Sequence, residues 1–210
     1  MIVLSHRGFW KSSSEKNTAA SFIRSFKLGF GVELDIRDFN GELVVSHDIP
    51  VNASLSLEEF FTIYNACGNN LPLALNIKSD GLQLAIKKLL NTFKILNYFV
   101  FDMSIPDCYI YFKNQIVFFA RESEYEQNPA FYNGASGVWL DEFKEHWIDI
   151  NVVKKHVKNQ KNVCIVSPEL HKRDHKKVWS HYKEIEKSLG INNLMICTDY
   201  PVEARTYFDQ

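Results

Sequence analysis

GVELDIRDFNGELVVSHD, residues Gly31 to Asp48, is the stretch that decides how this chain is built. Glu33 and Asp35 stand two apart in the apolar run VELDI. A strand repeats every two residues, so both carboxylates face one side while Val32, Leu34 and Ile36 face the other. Asn40-Gly41 marks a tight turn, and Leu43-Val44-Val45 is a second short strand delivering His47 and Asp48. Two carboxylates and an imidazole near a strand end suit a hard cation beside a proton-transfer group. A surface hairpin with an ordinary acidic face is the competing interpretation. Ser5-His6-Arg7-Gly8, which closes the first strand, adds a second His and an Arg and tips the balance towards chemistry.

Outward from this stretch, apolar strands and helical stripes alternate along the whole chain. Strands are expected over residues 2–6, 32–36, 73–78, 98–102, 115–120, 137–141, 162–167 and 194–198. Residues 17–28 carry a helical stripe of Ala19, Phe22, Ile23 and Phe26, ended by Gly29 and Gly31. Ser56 to Glu59 forms a capping box, with Leu55 and Phe60 placed as a hydrophobic staple, for a helix reaching about residue 66. Further helices are expected near 80–91, 106–112, 148–158 and 176–189, with a last short one opening at Pro201. Eight strands separated by helices, with no repeat and no linker, predict a single-domain α/β protein, a (β/α)8 TIM barrel. An open doubly wound sheet is the alternative. It needs a glycine-rich phosphate loop after the first strand, which Gly8 alone does not supply.

At 46% hydrophobic and 23% charged residues, the 210-residue chain has the composition of a globular protein with a full core. Its net charge of −1 argues against a nucleic-acid partner or broad attraction to anionic membrane. Cys67, Cys108, Cys164 and Cys197 form no CxxC pair, so disulfides are not expected and a reducing compartment is. No run approaches the roughly 18 apolar residues of a spanning helix, and Met1-Ile-Val-Leu is too short for a signal segment. The expectation is a cytoplasmic protein without stable membrane insertion; the sequence leaves the oligomeric state unknown. His156, His175 and His181 fall in helical stretches and are expected on the surface, as are the lysine-rich segments 154–161 and 172–177.

In a barrel, chemistry gathers at the C-terminal ends of the strands. Those ends carry His6 and Arg7, Glu33 and Asp35, Asn76 and Lys78, Asp102, Arg121, Asp141 and Glu142, Glu169 and His171, and Asp199. The opposite ends carry few acid–base groups.

These residues match a family pattern. His6-Arg7-Gly8, Asn17-Thr18 with Ala20 and Phe22, Glu33-x-Asp35, the Gly41 turn and His47-Asp48 closely resemble the glycerophosphodiester phosphodiesterases, whose wider group includes barrel phospholipases of the phosphatidylinositol type. Asn76-Ile77-Lys78 resembles the family's Glu-x-Lys, and Thr198-Asp199-x-Pro201 its closing Thr-Asp-x-Pro. The resemblance spans the chain, and its specific part lies in the first 48 residues. Three departures stand out: Asn76 replaces a carboxylate, Lys16 stands where the family has Glu, and the segment from His47 to Leu71 reduces the family's inserted subdomain to a loop and one helix.

The resemblance implies a metal-dependent phosphodiester hydrolase of glycerol and lipid metabolism that acts on a small glycerophosphodiester. His6 and His47 would be the acid–base pair. Glu33, Asp35 and Asn76 would hold a divalent cation (Mg2+ or Ca2+, with Mn2+ as a third choice), and Arg7 and Lys78 would bind the phosphate. Glu169 is a candidate substrate-binding residue that could offset the charge lost at Asn76. Trp139, on one face with Asp141, could wall the pocket. Two alternatives stand beside this expectation. One is a non-catalytic barrel that binds a phosphorylated ligand, favoured by Asn76. The other is a membrane-surface phospholipase, for which Phe131-Tyr132 would be the exposed aromatics.

Overall fold

The tight turn expected at Asn40-Gly41 forms because both residues take positive φ, 51° and 85°, the geometry a two-residue hairpin loop demands. The chain is described by a computed structural model over residues 1–51, 54–67 and 70–210. Its elements run β1 (Ile2–His6), α1 (Ala19–Lys27), β2 (Gly31–Phe39), β3 (Glu42–Val45), α2 (Leu57–Ala66), β4 (Leu73–Ile77), α3 (Gln83–Thr92), β5 (Tyr98–Phe101) and α4 (Ile105–Lys113). They continue with β6 (Phe119–Glu122), β7 (Gly137–Leu140), α5 (Ile150–Lys158), β8 (Asn162–Val166), α6 (Lys176–Leu189), β9 (Met195–Thr198) and α7 (Pro201–Phe208). The strand order is β5-β4-β2-β1-β9-β8-β7-β6, with β3 paired to β2 off this path. Eight parallel strands with helices between them make this the (β/α)8 architecture the alternation predicts. Two compact units are distinguished: Ser5–Val117, and Met1–Leu4 with Phe118–Gln210.

Within Ser5–Val117, β2 pairs antiparallel with β3 from Ile36↔Val45 to Phe39↔Glu42, and parallel with β4, where Asp35 lies opposite Asn76. α1 begins where Thr18 accepts from the Ser21 amide and Ser21 returns the bond, a capping box. α2 begins with the expected box between Ser56 and Glu59. The two helices meet through aromatic rings, Phe22 on Phe60 at 4.8 Å and Phe26 on Tyr64 at 5.4 Å between centroids. Edge-to-face pairs of this kind add about 0.5–1.5 kcal/mol each beyond the area they bury. Among the described residues, α2 is the only helix between β3 and β4.

Within the other unit, β6 begins at Phe119, four residues later than the apolar run suggests. α4 ends at Lys113, and Gln115 then takes a left-handed φ of 57°, so an extended chain cannot start there. Two surface expectations fail in this unit. His156 is fully buried: it lies one turn from buried Val153 on the inner face of α5, bonded to the Tyr132 hydroxyl at 2.9 Å and 3.2 Å from Glu122. His175 is buried between Trp179 and Tyr200, at ring separations of 4.4 and 5.1 Å. Each ring has polar or aromatic partners that make an interior position favourable. His181 is exposed, as expected. Phe131 and Tyr132 are half-buried, with the Tyr132 hydroxyl engaged by His156, so they do not form the exposed aromatic surface that a membrane-surface enzyme would use. The four cysteines are free, and no helix among the described residues is long and apolar enough to cross a membrane.

The turn from β1 to α1 depends on one glycine. Gly8 has φ +82°, and a Cβ there would lie 2.8 Å from the Ser21 Cβ and 2.9 Å from the Ser21 carbonyl carbon. Both strain and overlap oppose any side chain, so Gly8→Ala is expected to destabilise the protein by about 1–3 kcal/mol. Urea denaturation of the variant beside the parent checks this, and an unchanged midpoint would show that α1 can move aside.

Candidate active site

The first half of β2 buries two carboxylates that no apolar core would tolerate alone. Glu33 is 2% exposed and Asp35 is fully buried. Their partners come from three neighbouring segments of the same unit. From β4, Asn76 Nδ2 donates to Glu33 Oε1 at 3.2 Å, and Lys78 Nζ lies 3.6 Å from Asp35 Oδ1. Lys78 also reaches Asp102 Oδ2 at 3.4 Å, just past β5.

From the β1–α1 turn, the Arg7 backbone amide donates to the Glu33 carbonyl at 2.9 Å and to Glu33 Oε2 at 3.2 Å. Arg7 Nε forms an ion pair with Asp35 Oδ2 at 2.9 Å. Asn17 Nδ2 donates to the same oxygen at 2.8 Å, while the Asn17 amide donates to the Arg7 carbonyl at 3.0 Å. His6 Nε2 stands 3.9 Å from Glu33 Oε2. Arg7, Asn17 and Asp102 all have left-handed backbone, with φ of 56°, 59° and 70°. Asn and Asp tolerate this region, but Arg does not by preference, and such outliers persist where the surroundings fix them. The Arg7 turn is what aims its side chain at Asp35 while its amide faces Glu33.

The β3 strand delivers His47 as its period predicts. Ser46 N donates to the Asp35 carbonyl at 3.0 Å, which ties the end of the hairpin to the acid pair. His47 Nδ1 bonds Asp48 Oδ1 at 2.8 Å, and Arg37 Nε donates to the His47 carbonyl at 2.9 Å. His47 lines a cavity of about 770 Å3 together with Arg7, Lys16, Asn17, Ser46 and Asp48. The structure thus brings Arg7 and His47 to one cavity, with Glu33, Asp35, Asn76 and Lys78 joined to them through Arg7 and Asn17. His6 is not among the residues of that lining and meets the cluster at Glu33. Two members, Asn17 and Asp102, have no site role in the sequence pattern alone. The Asn17-Thr18 pair explains itself here, because Asn17 takes the left-handed step and reaches Asp35 while Thr18 caps α1.

Glu169 and Trp139 belong to the other unit. Glu169 accepts from the Ser167 and Thr198 hydroxyls and from the Asp199 amide at 3.1 Å, so its oxygens are well used. Trp139 is buried on β7. At the same strand ends, Asp141 Oδ1 bonds His171 Nε2 at 2.6 Å.

Burial raises the Glu33 carboxyl above its ordinary range, and the Asp35 charge adds to this, while His6, Arg7 and Lys78 act against it. A divalent cation would act in the same direction as those three. The donors present suit a hard ion: Asp35 Oδ1, Asn76 Oδ1 and Asn17 Oδ1 are buried oxygens with no hydrogen-bond partner among the described residues. No group of three or more His, Cys, Asp or Glu forms a metal cluster among the described residues. The set is therefore two carboxylates beside neutral amide oxygens, all oxygen donors of the type a hard cation takes.

The shifted Glu33 makes stability depend on pH in a definite direction. A carboxyl raised above its unfolded value favours the protonated form in the folded chain. Its contribution is complete below the ordinary carboxylate range and is lost as pH climbs through the raised value. Glu33→Gln removes this loss, so in EDTA the variant should melt above the parent at pH 8, by about 2–4 °C for each kcal/mol relieved. The difference should shrink by pH 4. Melting curves across that range test it, and a difference that does not change with pH would contradict it.

No family model and no curated sequence matches the chain. Solved structures do. One from Galdieria sulphuraria, described as a candidate glycerophosphodiester phosphodiesterase, aligns with a TM-score of 0.78 at 18% identity, covering 100% of this chain and 98% of that one. The glycerophosphodiester phosphodiesterase of Agrobacterium tumefaciens str. C58 aligns at 0.73 and 14% identity over 100% of both chains. A phosphodiesterase of Oleispira antarctica, solved with the product sn-glycerol-3-phosphate, aligns at 0.68 and 16% identity over 100% of this chain and 97% of its own. From end to end, the chain has the barrel fold of the glycerophosphodiester phosphodiesterases.

Proposed function

We propose that this protein is a phosphodiesterase, assisted by a divalent cation, that cleaves a glycerophosphodiester or similar small phosphodiester into an alcohol and glycerol phosphate. The observation that carries this is the buried Glu33–Asp35 pair, held by Arg7, Asn17, Asn76 and Lys78 and connected to the cavity that His47 lines. Support comes from the fold, shared with structures named for this chemistry, one of which holds sn-glycerol-3-phosphate.

Phosphodiester cleavage needs neutralised phosphoryl oxygens, a base for the attacking oxygen and an acid for the leaving one. Glu33, Asp35 and Asn76 would hold Mg2+, Ca2+ or Mn2+, and the ion supplies charge neutralisation at the phosphate. Arg7 has its Nε on Asp35, so its terminal NH groups are the ones that meet a phosphate oxygen. Lys78 adds positive charge between Asp35 and Asp102. Asp48 holds His47 through Nδ1, which leaves Nε2 as the nitrogen that exchanges a proton with substrate. His6, beside Glu33, completes the acid–base pair. One imidazole takes a proton from an attacking water as its oxygen bonds to phosphorus, while the other protonates the departing alcohol oxygen as the phosphorus–alcohol bond breaks, leaving glycerol phosphate; where a neighbouring substrate hydroxyl attacks instead, the product is a cyclic phosphate that a second step with water opens. Glu169 is given no step, because hydroxyl and amide donors already occupy it.

Asn76 favours one other interpretation, a barrel that binds a phosphorylated ligand without turning it over. A panel of glycerophosphocholine, glycerophosphoethanolamine and glycerophosphoglycerol, assayed with EDTA and with added Mg2+, Ca2+ or Mn2+, separates the two. Turnover of at least one diester is expected, falling about 10²–10⁴-fold in His6→Ala and in His47→Ala. Asn76→Glu should tighten cation binding on the order of tenfold, since a charged ligand replaces a neutral one. Binding of glycerol phosphate without cleavage of any diester would leave the ligand-binding barrel standing instead.

A further inference from the structure

The unit formed by Met1–Leu4 and Phe118–Gln210 holds a pair of imidazoles that the proposed chemistry does not use. His146 lies in the segment between β7 and α5, and His181 lies on α6. His181 Nδ1 stands 3.2 Å from His146 Nε2, with the two rings 16° from parallel. Both line a cavity of about 360 Å3 that Asp149 and Glu184 also border. His181 and Glu184 are three apart on α6, so they share one side of the helix.

The lone pair on His146 is set from inside the fold. Glu142 is fully buried. Its Oε1 accepts from the Trp147 amide at 3.1 Å and the Ile148 amide at 3.0 Å, and its Oε2 from the Tyr182 hydroxyl at 2.9 Å. Arg173 Nη1 donates to the Glu142 carbonyl at 2.6 Å and lies 3.8 Å from Oε2. A carboxylate used in this way is an acceptor, so His146 Nδ1, 2.8 Å from Oε1, carries the proton of the neutral ring. Nε2 is then the bare nitrogen, and it faces His181. A carboxylate that fixes the far nitrogen of an imidazole is the support that metal-ligating histidines have.

The distance between the facing nitrogens also suits an ion. Zn2+ holds imidazole nitrogens at about 2.0–2.1 Å with tetrahedral angles, which places two of them about 3.3 Å apart. His146 Nε2 and His181 Nδ1 already stand at 3.2 Å. In the metal-free pair, the His181 Nδ1 proton points at His146 Nε2. A bound ion takes the place of that proton, which passes to His181 Nε2, and both lone pairs then meet on the metal. His181 is exposed, so its ring has room to tilt. Among the described residues no group of three or more His, Cys, Asp or Glu forms a metal cluster. The protein therefore gives two nitrogens, water completes the shell, and Asp149 and Glu184 add negative charge on the wall. The Asp149 carboxyl is held below the usual carboxylate range, chiefly by the Val152 amide, so its charge is present at neutral pH. Imidazole nitrogens suit Zn2+, Cu2+ and Ni2+, whereas the oxygens around Glu33 and Asp35 suit Mg2+ or Ca2+.

We propose that His146 and His181 form a binding site for a nitrogen-preferring transition-metal ion, Zn2+ above all, which clamps the segment between β7 and α5 to α6. This site stands whether or not a phosphodiester is cleaved. Zn2+ is titrated by calorimetry, in excess Mg2+, into the EDTA-treated and dialysed parent, His146→Gln and His181→Gln, with circular dichroism confirming that the variants fold. The parent should bind one Zn2+ that each variant binds at least about tenfold more weakly. At a hundredfold excess over the dissociation constant, Zn2+ should raise the parent's melting temperature about 5–10 °C more than that of His181→Gln. One equivalent of Cu2+ should give an electron paramagnetic resonance spectrum split by two nitrogens in the parent and by one in either variant. Equal Zn2+ affinity in all three proteins, or a copper spectrum that neither substitution changes, would show that the two rings only hydrogen-bond to each other and would overturn the site.

Discussion

Two carboxylates shut away from water within three residues of one strand set the terms for the rest of the Ser5–Val117 unit. Taking a charge out of water costs several kcal/mol per ion, and a second like charge nearby adds to that cost. The cost is met by donors brought from separate segments: the Arg7 and Asn17 side chains from the β1–α1 connection, Asn76 from β4 and Lys78 just past it, and the Arg7 backbone amide. Asp35 has a guanidinium and an ammonium beside it, while Glu33 has an amide, a backbone N–H and an imidazole. Burial, and after it the Asp35 charge, push the Glu33 carboxyl upward. In the folded chain the protonated form of Glu33 is favoured, so this acid is the one whose charge costs the fold.

Much of this could be read from the residues alone, and the reasons are physical. The period of two placed Glu33 and Asp35 on one face, and the structure has both buried beside Asn76. Asn40-Gly41 fixed the hairpin because few other pairs accept two positive φ angles in succession. The capping box at Ser56 located α2 to the residue. What could not be read depends on long-range contacts. His156 lies in a lysine-rich helix, and only the position of Glu122 and Tyr132 shows why an imidazole there is buried. The beginning of β6 was obscured because Ile116 and Phe118 are buried before the strand forms, so an apolar run overstates its length. The link from Asn17 to Asp35 spans 18 residues and has no local signature.

The other unit shows how structural acids differ from reactive ones. Glu142 is fully buried, yet it accepts from His146, from the Trp147 and Ile148 amides and from the Tyr182 hydroxyl. Burial works against the Glu122 charge, but His156 and Lys155 prevail and hold its carboxyl below the ordinary range. These carboxylates are saturated with donors and pin loops to helices. Asp35, by contrast, keeps a buried oxygen without a hydrogen bond, as do Asn76 and Asn17. Unused acceptors gathered around one acid pair distinguish that cluster from the donor-saturated acids of the other unit.

The bolting of α1 to the first strand has a consequence for how this protein can diversify. Ser5 and Ser25 join hydroxyls at 2.8 Å, the Phe9 amide donates to Ser25 at 2.7 Å, and Gly8 lies flush against Ser21. The side chains that meet in that seam, Ser5, Ser21 and Ser25, are too small to grow without prising the helix away from the β1–α1 turn. The seam between α1 and β1 is therefore closed to larger side chains, and change in this part of the fold falls to positions outside it.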